Sequence, residues 1–136
     1  MNPTTMKAVD TAARILMAAL FIYSGYGKLV DPSSVTTRLA ASGFPLPMLG
    51  AYGAMLIEFG GAALLIGGYR LVATCAVLAL YTVMATALFH QFWAVEGAQR
   101  VAQTYQFLKN ACILSGLWFI ARPLLSGRSS PVPQVQ

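Results

Sequence analysis

Four titratable side chains lie within or at the edges of long apolar stretches of the chain: Lys28, Glu58, His90 and Lys109. Glu58 is the single acidic residue among them. An ionised side chain near a bilayer centre costs about 2.5–3.5 kcal/mol on insertion scales unless it pairs or reaches water. We therefore predict that Glu58 lies at salt-bridge or one-water distance from Lys28 or Lys109. Such a pair serves either to fix helix packing or to bind a proton or a ligand.

Helical periodicity indicates which residues accompany these charges, because positions three and four apart share a helix face. On the first apolar segment that face carries Phe21, Ser24, Gly25 and Lys28. On the last segment it carries Tyr105, Lys109 and Gly116, with Gln106 and Cys112 beside it. The pattern predicts one polar cluster, built from the three helices that carry Lys28, Glu58 and Lys109 and turn these faces inward. His90 stands beside Gln91 and Trp93, which is more typical of an interfacial anchor than of a metal ligand.

The composition indicates a membrane environment for these residues. Of the 136 residues, 57% are hydrophobic and 10% are charged, whereas soluble domains average roughly 25% charged residues. These values exclude an ordinary soluble globule and a disordered chain. The net charge of +5 comes from nine scattered cations with no run of three, so we expect no nucleic-acid partner. Two cysteines without a CxxC motif predict no metal site.

Segment lengths predict an all-α membrane protein with four transmembrane helices in an antiparallel bundle. A helix needs about 20 residues to cross a bilayer, and residues 71–95 supply 25 without a charged side chain. The predicted helices are 11–30, 48–68, 71–92 and 104–123, in one domain over 1–125. A turn at Asp31 is expected to cap a short helix over residues 35–41. Residues 126–136 are expected to form a disordered cytoplasmic tail.

Positive charges near the helix ends predict the orientation. The side that holds both termini carries Lys7, Arg14, Arg70, Arg122 and Arg128. The opposite side carries four cations, of which Lys28 and Lys109 lie inside the membrane. Five cations against four places both termini in the cytoplasm.

Several short motifs resemble those of the DoxX family of small four-helix membrane proteins. They are Arg14, the run from Phe21 to Lys28, Gly43-Phe44-Pro45, Glu58-Phe59-Gly60-Gly61, the run from Leu65 to Arg70, and Phe107-Leu108-Lys109-Asn110. The resemblance covers residues 11–122 and implies a multi-pass protein of the bacterial inner membrane. Some relatives are subunits of thiosulfate:quinone oxidoreductase. The family's polar motif positions correspond here to Lys28, Glu58, Lys109 and Asn110.

Three functions are consistent with these features. The first is a redox-linked subunit that docks a redox partner or binds a quinone without a covalent bond, through Lys28, Glu58, Tyr105, Lys109 and Asn110. Glu58 is then the proton donor, and no catalytic residue is assigned. The second is a structural or assembly subunit of a membrane complex, and the third is a small-molecule or ion carrier that uses Glu58. All three imply the lipid bilayer as an environment, with other subunits or self-association.

Overall fold

A computed structural model describes residues 2–126, and the regular secondary structure in this part of the chain is all helical. It contains α1 (Pro3–Val30), α2 (Pro32–Ala41), α3 (Pro47–Gly67), α4 (Leu71–Phe89), a 3₁₀ turn (Phe92–Ala94) and α5 (Gly97–Ser126). The segments Pro3–Val30, Pro47–Gly67 and Leu71–Ala94 are long and apolar enough to span a membrane. The predicted all-α class is confirmed for this range. The tail predicted over 126–136 lies outside the described residues, except for Ser126 at the end of α5.

Two helices begin well before their predicted starts. Helix α1 begins at Pro3 rather than at residue 11, because the Asn2 side chain caps it by accepting a bond from the Thr4 N–H at 3.2 Å. Helix α5 begins at Gly97 rather than at residue 104. The predicted starts mark where apolar character begins, whereas a helix extends beyond the bilayer for as long as its backbone groups are satisfied. Helix α4 ends at Phe89, three residues before its predicted end at 92.

Asp31 separates α1 from α2 and caps the second of these helices, as predicted. Its carboxylate accepts bonds from the Ser33 hydroxyl and from the Ser34 N–H, and Pro32 occupies the first turn of the helix. Ser33 contributes most to holding the pKa of Asp31 below its usual range, and the Ser34 N–H adds to this. With this cap, α2 begins at residue 32 instead of 35.

The connection of residues 68–70 folds α3 and α4 into a hairpin. Gly68 has a φ of +68°, the left-handed conformation that favours glycine. Its N–H bonds to the Leu65 carbonyl and the Tyr69 N–H bonds to the Leu64 carbonyl, which is the Schellman arrangement for ending a helix. The Arg14 guanidinium lies against Gly68, so the first half of α1 lies at the same end as this turn.

The hydrophobic core is built from the four long helices. Its buried members are Ala18, Phe21, Ala62, Leu65, Cys75, Leu78, Ile113, Leu117 and Ala121. Many large apolar side chains face outward instead: Leu16, Leu56 and Leu80 are 71%, 76% and 64% exposed. An apolar exterior of this extent is unsuited to water and suits a bilayer.

Gly61 permits the close approach of α3 and α4. A Cβ at position 61 would lie 2.5 Å from Leu78 Cδ2. Leu78 is fully buried, so its side chain has no free space in which to move away. A Cβ on the preceding residue, Gly60, would meet nothing within 4 Å. The two adjacent glycines therefore differ in packing but not in helical conformation.

We predict that Gly61→Val separates the hairpin and destabilises the protein by about 1–3 kcal/mol, the usual cost of overpacking. The matched control is Gly60→Val, whose side chain enters open space and which is expected to melt close to the wild type. Thermal unfolding in one detergent compares the three proteins. Equal melting temperatures for the two variants would contradict the packing described for Gly61.

Candidate functional site

The embedded carboxylate and one lysine form a close ion pair between α1 and α3. Lys28 Nζ lies 2.8 Å from Glu58 Oε1 and 3.0 Å from Oε2. The Glu58 side chain is 2% exposed and that of Lys28 is 18% exposed. The predicted ion pair is thereby confirmed, with Lys28 rather than Lys109 as the partner. A buried pair of this kind persists only when the remaining polar atoms are also hydrogen-bonded.

Two hydroxyl groups complete the surroundings of the carboxylate. Ser24 Oγ donates to Glu58 Oε1 at 2.8 Å, and Tyr81 Oη donates to the same oxygen at 2.7 Å. Lys28 Nζ also donates to Ser24 Oγ at 2.8 Å. We call Ser24, Lys28, Glu58 and Tyr81 the carboxylate cluster. It joins α1, α3 and α4, so its third helix is not the predicted one that carries Lys109, because the Tyr81 hydroxyl of α4 reaches the carboxylate instead. Both oxygens of the carboxylate accept hydrogen bonds.

Local sequence places each member of the cluster. Ser24 and Lys28 are four residues apart and so lie on one face of α1. Gly25 lies between them and brings α1 close to α3, since a Cβ there would lie 3.0 Å from the Phe59 ring and 3.4 Å from Glu58 Oε2. The small residue thus sets the distance at which Lys28 reaches the carboxylate.

Tyr81 was absent from the sequence prediction, although the hairpin contains the signal for it. Glu58 precedes Tyr69 by 11 residues and Tyr81 follows it by 12, so the two lie at nearly the same depth in antiparallel helices. Ser24 was placed on the correct face but was not assigned to the site. Its hydroxyl links the lysine to the carboxylate.

A cavity of about 520 Å³ adjoins the carboxylate cluster and extends to α2. Its apolar part is formed by residues such as Leu20, Phe21 and Ile113. Its polar lining contains Ser24, Lys28, Asp31, Ser34, Arg38, Glu58, Tyr81, Thr82, His90, Gln106, Lys109 and Asn110. The cavity is therefore amphipathic, and a molecule inside it meets hydrocarbon on one side and hydrogen-bonding groups on the other.

Lys109 and Asn110 both line this cavity, but they differ in how far their side chains are satisfied. Asn110 is buried, and its amide nitrogen donates to Thr86 Oγ1 at 2.8 Å, leaving a second N–H. Among residues 2–126, no acidic side chain forms a salt bridge with Lys109. His90 lines the cavity as well, and its Nδ1 lies 2.9 Å from Gln103 Oε1.

The structure does not bring Tyr105 to the cavity. Its side chain is 71% exposed and belongs to a separate shallow groove with Arg100, Val101 and Leu108. The buried face of α5 runs through Asn110, Ile113, Leu117 and Ala121. Five helical residues separate Tyr105 from Asn110, which is a rotation of roughly 140°. Lys109 lies at the edge of the buried face, and Tyr105 lies beyond it.

Comparison with known proteins places this geometry in a family context. The DoxX family profile matches residues 9–91, which include every member of the carboxylate cluster. The inner membrane protein YqjF of Escherichia coli is 34% identical over 112 residues, covering 80% of this chain and 78% of that protein. The inner membrane protein YphA of the same organism is 27% identical over 109 residues, with the same coverage. No solved structure matches the chain.

We predict that Glu58→Ala destabilises the protein by about 3–5 kcal/mol, because it leaves Lys28 in the interior without its partner. Glu58→Gln is expected to cost less, since an amide oxygen still accepts hydrogen bonds. Replacing both members of the pair by methionine should recover much of the loss, because neither charge then remains unpaired.

Thermal melting of the purified protein in detergent measures these differences, with Glu96→Ala as a control that removes an exposed carboxylate outside the cavity. If Glu58→Ala melts no earlier than Glu96→Ala, the ion pair does not contribute to stability in the way described.

Proposed function

The chain belongs to the DoxX family and is a multi-pass protein of the inner membrane, and on that premise we propose that it is a redox-linked membrane subunit whose cavity binds a quinone headgroup. The supporting observation is the amphipathic cavity beside the carboxylate cluster. Its volume of about 520 Å³ lies within the usual range for small-molecule sites, roughly 300–1,000 Å³. A quinone has a polar ring and an apolar tail, which match the two parts of the lining.

The carbonyl oxygens of a quinone accept hydrogen bonds, so its site requires donors that are not already engaged. Lys109 has no acidic partner within residues 2–126, and Asn110 has one amide N–H beyond its bond to Thr86. We assign these two residues the carbonyl contacts. Lys28 is less suitable, because its ammonium group already donates to both Glu58 oxygens and to Ser24.

Reduction of a quinone to a quinol takes up two electrons and two protons. In the proposed function the electrons come from the cofactor of a redox partner. Tyr81 lines the cavity and donates to Glu58, so it connects the carboxylate with a bound ring. When Glu58 is protonated, this hydrogen bond can reverse: Glu58 then gives its proton to Tyr81, and the Tyr81 hydroxyl passes its own proton to one quinone oxygen. The Lys109 ammonium, which is assigned to a carbonyl contact, gives the second proton to the other oxygen.

The proposed topology has α5 as a fourth transmembrane helix and both termini in the cytoplasm. Residues 110–121 carry no charge, and Lys109 faces the cavity rather than requiring a place in the hydrocarbon. Helix α5 also contributes Ile113, Leu117 and Ala121 to the shared core. The excess of lysine and arginine beside the termini supports the cytoplasmic assignment.

A purely structural subunit is the second candidate, and one observation favours it. The carboxylate cluster is internally satisfied, so it stabilises the packing of α1, α3 and α4 without any ligand. This candidate gives no role to Lys109, which the cluster does not use. The test therefore concentrates on that residue.

We predict that Lys109→Met weakens binding of a short-chain ubiquinone analogue by about tenfold, the effect expected from loss of one strong hydrogen bond. The melting temperature should change little, because Lys109 is not in the core. Arg100→Met is the matched control, since Arg100 is a cation on the same helix outside the cavity. Equilibrium binding in neutral detergent compares the proteins.

If Lys109→Met and Arg100→Met bind the analogue as well as the wild type does, the quinone site is refuted and the structural role is favoured. Tyr105→Phe is a further control, because the Tyr105 hydroxyl lies outside the cavity. Weaker binding in that variant would place the site elsewhere on α5.

The topology has its own test in a background with Cys75→Ser and Cys112→Ser. Asn2→Cys is expected to react with an impermeant maleimide only after the cytoplasmic side is opened. Ala98→Cys is expected to react in intact spheroplasts. Labelling of both positions from the same side would contradict the orientation.

A further inference from the structure

We propose that the cavity mouth binds the phosphate group of an anionic phospholipid, through Arg38 on α2 and Lys109 on α5. The proposed site shares Lys109 and the cavity with the quinone proposal, so the two ligands would compete, and it differs in its use of Arg38. The ligand is a phosphodiester with a net negative charge and hydrocarbon chains. Its head would lie between the two cations, and its chains would follow the apolar side of the cavity.

The cavity lining carries positive charge that no acidic side chain of residues 2–126 pairs with. Three cations line the cavity, Lys28, Arg38 and Lys109, against two carboxylates, Asp31 and Glu58. Glu58 forms its ion pair with Lys28, and Asp31 caps α2 by accepting hydrogen bonds from Ser33 and Ser34. Neither carboxylate therefore neutralises Arg38 or Lys109. Within residues 2–126, neither Arg38 nor Lys109 forms a salt bridge. Two cations without acidic partners at one cavity create a positive potential that favours binding of an anion.

Arg38 is held in place by an aromatic ring at the edge of the cavity. Its guanidinium lies over the Phe89 ring, 4.8 Å from the ring centroid, at the edge of the cavity. A contact with a ring face restrains a guanidinium without using its N–H donors. Helix α2 is fixed in turn by the buried Leu39, which packs close to Gly50 of α3. Arg38 is therefore positioned in advance to hydrogen-bond a phosphate.

The cavity also has an apolar side that is open to the outer surface of α1. Arg38 and Ser34 come from the short helix between two spanning segments, where lipid headgroups lie. Leu20 and Tyr23, which also line the cavity, are 45% and 80% exposed on the outer surface of α1. The cavity therefore adjoins the lipid-facing surface of α1, and an amphiphile can enter it from the bilayer. A soluble anion would gain nothing from that apolar flank.

The test measures thermal stabilisation of the full, delipidated chain in neutral detergent as dioleoyl-phosphatidylglycerol is added. We expect a saturable rise in melting temperature that dioleoyl-phosphatidylcholine does not reproduce. Arg38→Gln and Lys109→Gln should each weaken the apparent affinity by about tenfold. Arg100→Gln is the matched control: it removes a cation outside the cavity, and it should respond like the wild type.

Three results would overturn the inference. Equal stabilisation by the two lipids removes the need for an anion. An equal loss of affinity in Arg100→Gln and Arg38→Gln reveals a diffuse surface attraction. Inorganic phosphate that stabilises the protein alone, in a manner abolished by Arg38→Gln, identifies a soluble ligand instead.

Binding of the ubiquinone analogue by Arg38→Gln separates the two proposals. Unchanged quinone binding together with weakened phosphatidylglycerol binding supports a role for Arg38 toward the lipid headgroup that the quinone does not need. If the wild type binds phosphatidylglycerol but no quinone, the proposed function fails while this inference stands. If it binds quinone but shows no preference for phosphatidylglycerol, this inference fails alone.

Discussion

The need to pair the Glu58 carboxylate determines how three of the helices face one another. A carboxylate that is 2% exposed, inside a chain with an apolar exterior, is stable as an ion only when its partners lie at hydrogen-bonding distance. Lys28 and Ser24 supply two of these partners from α1, and Tyr81 supplies the third from α4. Rotation of either helix about its axis would break at least one bond. The cluster therefore fixes the rotation of α1 and α4 relative to α3.

The cavity is lined both by the hydrogen-bonded carboxylate cluster and by cations that have no acidic partner in residues 2–126. The carboxylate cluster accounts for its own charges and acts as structure whether or not a ligand is bound. Lys109 and Arg38 line the same cavity without an acidic partner in residues 2–126. The proposed ligand contacts therefore use groups that the packing leaves without acidic partners. Tyr81, like the other members of the carboxylate cluster, lines the cavity while bonded within the cluster.

The sequence was sufficient to predict features that depend on a large energetic cost or on a strong local signal. A lone embedded carboxylate requires a cation nearby, so the sequence predicts an ion pair, but it leaves Lys28 and Lys109 as alternative partners. Asp31 before Pro32 predicted a helix cap. Sequence analysis does not identify Tyr81, because a tyrosine in an apolar stretch cannot be told apart from a residue that only packs against its neighbours. The geometry of the hairpin is needed to place Tyr81 at the depth of Glu58. Tyr105 was misplaced because the inward face of α5 was set from Lys109, whereas the line through Asn110, Ile113 and Leu117 decides the rotation.

Solid-state NMR can test directly whether Lys28 rather than Lys109 pairs with Glu58 between α1 and α3. Protein labelled with ¹⁵N at lysine side chains and ¹³C at glutamate carboxyl groups, reconstituted in bilayers, reports short Nζ to Cδ distances through dipolar dephasing. We predict strong dephasing of one carboxyl signal, which disappears in Lys28→Met and persists in Lys109→Met. A signal that is absent from the wild type, or that disappears only in Lys109→Met, would contradict this pairing.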